Sequence, residues 1–188
     1  LYAKNSKSAA ALTRQITQGE VDKCYYAVVK VTYRKGMENV QKELGSRTVI
    51  TLENYLLKDS RTNMSRVVPE GTDGAKKAVL EYQVLGVEAG EELALLRVKL
   101  HTGRHHQIRV QLSEAGMPIL NDTKYGTTPN EENIKDTLRA VRDEALALCS
   151  YRLVFSHPVT RKKLTFEVIP KGKSFALFSE DFGKKDNI

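Results

Sequence analysis

The chain has 188 residues, of which 40% are hydrophobic and 28% charged, values typical of a globular protein and not of a disordered tail. Thirty lysines and arginines outnumber 23 aspartates and glutamates, so the formal net charge is +7 and the pI is near 9.3. A pI above about 9 favours a nucleic-acid partner, although a basic surface can also serve solubility alone. No apolar run approaches the roughly 20 residues that cross a bilayer, so we expect no membrane span.

The first predicted helix has the sequence SKSAAALTRQI, with Asn5 or Ser6 as its N-cap and Gly19 as its stop. The preceding residues, LYAKN, resemble the end of a strand. Aromatic and β-branched residues then predict strands at KCYYAVVKV, RTVITLENYLLK, KKAVLEYQVL and ELALLRVKL. The polar connection from Ser60 to Gly74 is expected to be exposed and to contain the short strand SRVV.

The chain closes with a predicted amphipathic helix, EENIKDTLRAVRDEALAL, and a strand pair, CSYRLVFSH and KKLTFEVIP, joined around Pro158. Alternation at period two predicts one apolar face per strand. In KKAVLEYQVL this face is formed by Ala78, Leu80, Tyr82 and Val84. In ELALLRVKL it is formed by Ala94, Leu96, Val98 and Leu100, and Arg97 and Lys99 lie on the other side of that strand. We predict one α+β domain over residues 1–188, with a largely antiparallel, mixed sheet and flanking helices.

Two well-separated cysteines, Cys24 and Cys149, form no CxxC pair. This usage is typical of a reducing cytosol, where both thiols act as small apolar residues. We therefore expect a cytoplasmic protein, and we expect it to be a monomer.

The most informative segment is LHTGRHHQIRVQLSEAGMPILNDTKYG, from Leu100 to Gly126, which predicts a strand, a tight turn, a helix and a loop. Thr102 is the expected N-cap, and Gly103 permits the turn. Gly116 and Pro118 end the helix. The expected buried stripe consists of Ile108, Leu112 and Ala115.

On the predicted helix His105 and Arg109 lie one turn apart, beside this stripe. A partly shielded Arg109 requires an anionic partner, and Arg104 lies at the helix N-terminus, which also favours an anion. A phosphate or a catalytic carboxylate would be a suitable anion for both Arg109 and Arg104. From the residues alone, a basic helix with solvated arginines is an equally good interpretation.

A metal site is the weaker alternative for this segment, although His101, His105 and His106 are close in sequence. Zinc needs three or four converging ligands. On a helix His106 would point away from His105, and Asp122 is the nearest obvious carboxylate. We expect no metal.

This segment resembles the RluA family of RNA pseudouridine synthases, whose motifs TGRxHQIRxxL and GxPIxGDxxYG stand here as TGRHHQIRVQL and GMPILNDTKYG. LYAKNSKSAAAL, VDKCYYAVV and YRLVFSHPVTRKKLTFEVIP match further family segments in the expected order. Three positions depart from the pattern. His105 replaces the commoner threonine or serine, Gln111 stands where histidine is frequent, and Asn121 replaces the glycine of GDxxYG. The turn at Asn121 is therefore expected to differ slightly.

The resemblance implies a pseudouridine synthase fold and the isomerisation of uridine in ribosomal or transfer RNA, without a metal or an organic cofactor. It implies that Tyr25 contacts the target base and that Arg109 pairs with the catalytic carboxylate. From the strand pattern alone, Tyr26 competes with Tyr25, since neighbouring strand residues face opposite ways. The family's catalytic aspartate belongs to an HRLDRxTSG segment, which this sequence lacks. We therefore expect a truncated synthase domain that is inactive by itself.

Basic residues outside the expected catalytic pair are candidates for phosphate contacts. They are Arg104, His105, Arg66, Lys76 and Arg161, with Lys77, Lys162 and Lys163 as neighbours of the same kind. For each lysine of this set, and for Arg66 and Arg161, ordinary solvated loop charge is singly the better interpretation. The alternative function is a non-catalytic RNA-binding module with the same fold.

Overall fold

A computed structural model describes residues 1–31, 40, 42–43, 48–88, 90, 92–126, 141 and 145–183. The helices with described bounds are α1 (Ser6–Thr17), α2 (Gln107–Glu114) and the short α3 (Lys173–Ala176). The strands are β1 (Asp22–Lys30), β2 (Val49–Asp59), β3 (Met64–Val68), β4 (Lys76–Glu88), β5 (Leu93–Leu100), β6 (Leu148–Ser156) and β7 (Lys163–Glu167).

The strands form one seven-stranded sheet in the order β3-β2-β4-β5-β1-β6-β7. Every pairing between these strands is antiparallel. The expectation of a largely antiparallel α+β fold is therefore confirmed. Apart from the strand end expected at LYAKN, each predicted strand matches an observed one to within a few residues.

One side of the sheet, here called the front face, contains Tyr25, Val98, Tyr82 and Ile50, which are successive cross-strand partners. Partners directly opposite one another project from the same face. The predicted apolar face of β4 belongs to this side, and its four residues are at most 4% exposed.

Two helices pack on the front face at opposite ends of the strand order. Leu12 of α1 packs with Val21 and with Phe155 of β6. Val110 of α2 packs with Leu56 of β2 and Ala78 of β4. Strand β1 therefore lies between the two helices on this side.

The opposite side, here called the back face, is also largely buried. Tyr26 stacks on Tyr151 with ring centroids 3.8 Å apart, and Phe182 packs against Tyr26 at 5.1 Å. As predicted, Arg97 lies on the opposite side of β5 from Leu96 and Val98. That side is buried as well, and Arg97 is only 2% exposed. Its Nη1 donates to Gln83 Oε1 at 3.4 Å.

Helix α1 begins as predicted, with the Asn5 side chain accepting a hydrogen bond from the Ser8 backbone N–H at 2.9 Å. Gly19, at φ +72°, follows its C-cap. Residues 1–3 form no strand, contrary to expectation, and the predicted helix over residues 131–148 lies mostly outside the described residues. None of the helices with described residues is both long and apolar enough to span a bilayer.

Candidate functional site

The turn between β5 and α2 is built differently from the predicted turn. Thr102 is not the N-cap, because its hydroxyl donates to Gln107 Oε1 at 2.8 Å and accepts from the Val79 backbone N–H at 2.9 Å. Gln107 Oε1 also accepts from the Arg104 backbone N–H at 2.9 Å. The helix therefore begins at Gln107, after His106 in a left-handed conformation with φ +52°. His105 precedes the helix and does not share a helical face with Arg109.

Helix α2 is fixed to the front face by apolar and polar contacts. Ile108 and Leu112 are at most 4% exposed, as predicted, whereas Ala115 is the exposed C-cap, which corrects the predicted stripe. The buried Gln111 Nε2 donates to Asn54 Oδ1 at 2.8 Å and to the Leu52 carbonyl at 3.2 Å. The helix ends at Glu114, and Gly116, with φ +78°, follows the C-cap, so the predicted stop is confirmed.

Arg109 projects from α2 to a carboxylate within the chain. Its Nε donates to Asp122 Oδ2 at 2.8 Å, and its Nη2 donates to Asp122 Oδ1 at 2.6 Å. The Arg109 side chain is 16% exposed and that of Asp122 is 0% exposed. The guanidinium also lies over the Tyr125 ring, 5.0 Å from its centroid. The two bonds use the Nε and Nη2 edge, so they leave Nη1 for another acceptor.

Asp122 also organises the loop that follows it. Its Oδ1 accepts from the backbone N–H groups of Lys124 and Tyr125, both at 2.9 Å. Burial raises the pKa of the Asp122 carboxyl, but the hydrogen bonds from Arg109 and from these two N–H groups outweigh burial and hold the pKa below its ordinary value. Asp122 is therefore ionised at neutral pH.

The backbone conformation explains the residue type at two positions of the segment GMPILNDTKYG, Asn121 and Gly126. Asn121 has φ +62°, a conformation that asparagine tolerates better than most residues, so it can replace the glycine of the related motif. Its Nδ2 donates to the Val141 carbonyl at 2.8 Å. A Cβ at Gly126 would lie 2.3 Å from the Asp122 carbonyl oxygen, so only glycine fits there.

The two adjacent histidines form a tilted ring pair beside this loop, with an interplanar angle of 31°. The ring centroids of His105 and His106 are 3.8 Å apart, so the expectation that His106 points away from His105 is wrong. The Ser65 backbone N–H donates to the Tyr125 hydroxyl at 2.7 Å, and this hydroxyl lies 3.0 Å from His106 Nδ1. His105 Nδ1 lies 3.0 Å from Ser65 Oγ. These contacts hold both rings against β3.

The electrostatic environment favours the neutral form of both rings. Burial, followed by the nearby Lys58 and Lys124 ammonium groups, lowers the pKa of His105. Burial, followed by His105 and Arg109, lowers the pKa of His106. His101 lies apart from them, with its Nε2 3.0 Å from Glu81 Oε2. Within the described ranges, no three His, Cys, Asp or Glu side chains are placed to hold a metal ion.

Tyr25 and Tyr26 have different surroundings. Tyr26 is 5% exposed in the back-face core, whereas Tyr25 is half-buried on the front face, between α1 and α2. Burial raises the pKa of Tyr25, and a hydrogen bond with the Ser150 side chain opposes the shift. The structure thus puts Tyr25 on the same side of the sheet as α2, while Tyr26 serves packing.

The basic candidates do not form one cluster. Arg104 lies next to the start of β4, since its Nε donates to the Lys77 carbonyl at 2.8 Å. Exposed Arg66 is paired with Leu57 and belongs to the back face. Arg161 lies in the β6–β7 turn and lines a depression with Lys7 of α1. Arg104, His105 and Lys76 therefore belong to the α2 end of the domain, and Arg161 to the α1 end.

Residues 1–114 match the family described as RNA pseudouridylate synthase. The chain belongs to this family. It is 30% identical over 168 residues to a protein of Aquifex aeolicus named uncharacterized RNA pseudouridine synthase, an alignment that covers 89% of this chain and 48% of that protein. It is 33% identical over 169 residues to ribosomal large subunit pseudouridine synthase D of Vibrio cholerae, covering 88% of this chain and 47% of that protein.

The solved structure of human RNA pseudouridylate synthase domain containing 4 superimposes with a TM-score of 0.66 at 20% identity, covering 92% of this chain and 67% of the human one. This likeness supports the pseudouridine synthase fold. The chain spans about half the length of the two bacterial relatives.

Sequence reasoning did not assign Asp122 and Tyr125 to the site. Both lie in the segment that matches the family's second motif, and an acidic residue there could have been paired with the shielded Arg109. Periodicity could not show this, because the loop brings residues 13 positions apart into contact.

Proposed function

We propose that this chain forms the base-binding part of an RNA pseudouridine synthase that converts uridine in ribosomal or transfer RNA into pseudouridine. The observation that supports this most strongly is family membership, together with the placement of Tyr25 and the Arg109-bearing helix on one side of the sheet. The chain contains no HRLDR segment, so the nucleophilic aspartate of the proposed reaction is supplied by residues outside these 188.

In the proposed reaction the target uridine leaves its stack before the protein reaches its glycosidic bond. The flipped base stacks on Tyr25. The aspartate carboxylate attacks C1′ as a nucleophile and the N1–C1′ bond breaks. The detached uracil turns, and its C5 bonds to C1′ as the bond between C1′ and the carboxylate breaks. C5 then loses its proton while N1 gains one. Arg109 orients the aspartate through Nη1, since Nε and Nη2 are bonded to Asp122.

In this proposal the phosphate contacts near α2 come from Arg104, His105 and Lys76. Arg66 on the back face and Arg161 beside α1 would contact phosphates further from the target nucleotide. Arg104 and Lys76 are exposed, so their charges reach solvent. Affinity dominated by such contacts falls steeply with salt. The proposed protein is a cytoplasmic monomer that needs no cofactor, in keeping with its free cysteines.

The test uses the full-length protein that carries this sequence and RNA transcripts labelled with tritium at C5 of uridine. Pseudouridine formation releases tritium, so release above background supports the proposal, and the 188-residue chain alone is the control expected to release none. Salt-sensitive RNA binding by both proteins without tritium release from either would contradict catalysis and favour the non-catalytic RNA-binding module.

A further inference from the structure

Lys23 is a charged side chain on the front face, and it has no role in the reaction proposed above. It lies two residues before Tyr25 on β1, so the two side chains project from the same side of the strand, about 7 Å apart along it. Its cross-strand partner is Leu153 of β6, whose side chain packs with the cluster around Leu12 of α1. Lys23 therefore lies in the gap between α1 and α2.

The amine of Lys23 reaches the turn before α2. A Cβ placed on Gly103 would lie 3.5 Å from Lys23 Nζ, an ordinary contact distance. Gly103 immediately precedes Arg104. Lys23 thus meets the α2 turn on the side of β1 that also carries Tyr25, two residues further along the strand.

The Lys23 ammonium group has no anionic partner in the part of the chain that the structure describes, where this side chain makes neither a hydrogen bond nor an ion pair. It is half-buried, and burial lowers the pKa of its ammonium group. A partly desolvated ammonium without a partner destabilises a fold unless an anion joins it. The side chain thus has the position and the charge for an anion that arrives with the substrate.

We propose that Lys23 is a positioning residue that binds a backbone phosphate of the RNA next to the nucleotide whose base contacts Tyr25. This inference rests on the proposed function and adds a specific phosphate contact to it. A compact ammonium suits a single phosphate oxygen, whereas the planar guanidinium of Arg109 suits a carboxylate. Phosphate contacts fix the register of a nucleic acid without reading its sequence, and Lys23 would fix the target nucleotide over Tyr25.

The first experiment measures RNA binding by the 188-residue chain as a function of salt. Lys23→Met is expected to weaken binding about 10-fold at low salt and to make the slope of log K against log salt shallower by about 1. Lys23→Arg should retain most of the affinity. Lys99→Met is the matched control, because Lys99 is a half-buried lysine opposite Cys24, on the back face. Equal effects of Lys23→Met and Lys99→Met would overturn the proposal.

The second experiment separates a phosphate partner from a protein carboxylate, using tritium release by the full-length protein. A phosphate contact predicts that Lys23→Met raises KM about 10-fold with a smaller change in kcat. A fall in kcat with unchanged KM and an unchanged salt slope would identify a carboxylate as the partner and overturn the phosphate assignment. Normal turnover by Lys23→Met would overturn the inference alone, whereas no turnover by the wild type would overturn the proposed function.

Discussion

Arg109 and Asp122 form a two-point ion pair that joins α2 to the loop after it, with donor–acceptor distances of 2.8 and 2.6 Å. Asp122 is fully shielded from solvent and Arg109 nearly so. The same carboxylate accepts two backbone N–H groups of its own loop. The pair therefore sets the position of Arg109 before any substrate arrives.

Removing either partner of this pair should destabilise the chain by about 3 kcal/mol, because the remaining charge is left buried without a partner. Arg109→Ala and Asp122→Ala are expected to show this in urea unfolding, and the double variant should lose less than the sum. Lys77→Ala is the control. Its pair with Glu53 is about half-exposed, and solvent screens such pairs, so Lys77→Ala should change stability little. Losses below 1 kcal/mol at Asp122 would contradict the assigned role.

The lowered pKa of Asp122 predicts the direction of a pH effect on stability. The folded state binds the proton more weakly than the unfolded state, so the contribution is fully present above the ordinary carboxyl pKa of about 3.9. It is lost as pH falls from there through the lower pKa of the folded state. Urea unfolding from pH 5 downwards should show a steeper loss in the wild type than in Asp122→Asn. Parallel curves would contradict this prediction.

Gly126→Ala should destabilise the chain by about 1–3 kcal/mol, the range for overpacking, because the new Cβ would meet the Asp122 carbonyl oxygen. Gly103→Ala is the matched control, since its Cβ would meet only Lys23 Nζ at ordinary contact distance. Thermal unfolding of the two variants tests the difference. Equal melting temperatures would show that the loop can shift without cost.

Substitutions of Tyr25 and Tyr26 should have different effects, the first on activity and the second on the stability of the fold. Tyr26→Ala removes a buried ring stacked on Tyr151 and should destabilise the chain by about 3–5 kcal/mol, the range for large aromatic truncations. Tyr25→Ala should lose less stability and yet abolish tritium release by the full-length protein. Retained activity in a folded Tyr25→Ala variant would contradict the base-contact role.

Local pattern predicted the strands well because each has one apolar face at period two, as in Ala78, Leu80 and Tyr82. It failed where distant residues decide the environment. The pattern of β5 predicted the side on which Arg97 lies but not its burial, which arises because the back face is also largely buried. Thr102 donates a hydrogen bond to the Gln107 side chain instead of capping α2. Residue preferences for the N-cap position do not take such a side-chain partner into account.

The site was predicted in part. Helical spacing indicated that Arg109 is shielded and requires an anion, but it could not identify Asp122, which reaches Arg109 only through the loop after α2. The pattern of β1 could not separate Tyr25 from Tyr26; the resemblance favoured Tyr25. Tyr26 is buried and Tyr25 half-buried, and the base-contact role of Tyr25 stays a prediction.

The most direct test of the proposed catalytic site is single-turnover tritium release by the full-length protein with Arg109→Ala, under conditions where circular dichroism shows the variant folded. We predict that release is abolished, because the aspartate loses the charge that orients it, and that Arg109→Lys is badly impaired, since lysine lacks the planar fork. Arg104→Ala is the comparison, and it should weaken RNA binding more than turnover. Turnover at the wild-type rate by folded Arg109→Ala would contradict the assignment of the site.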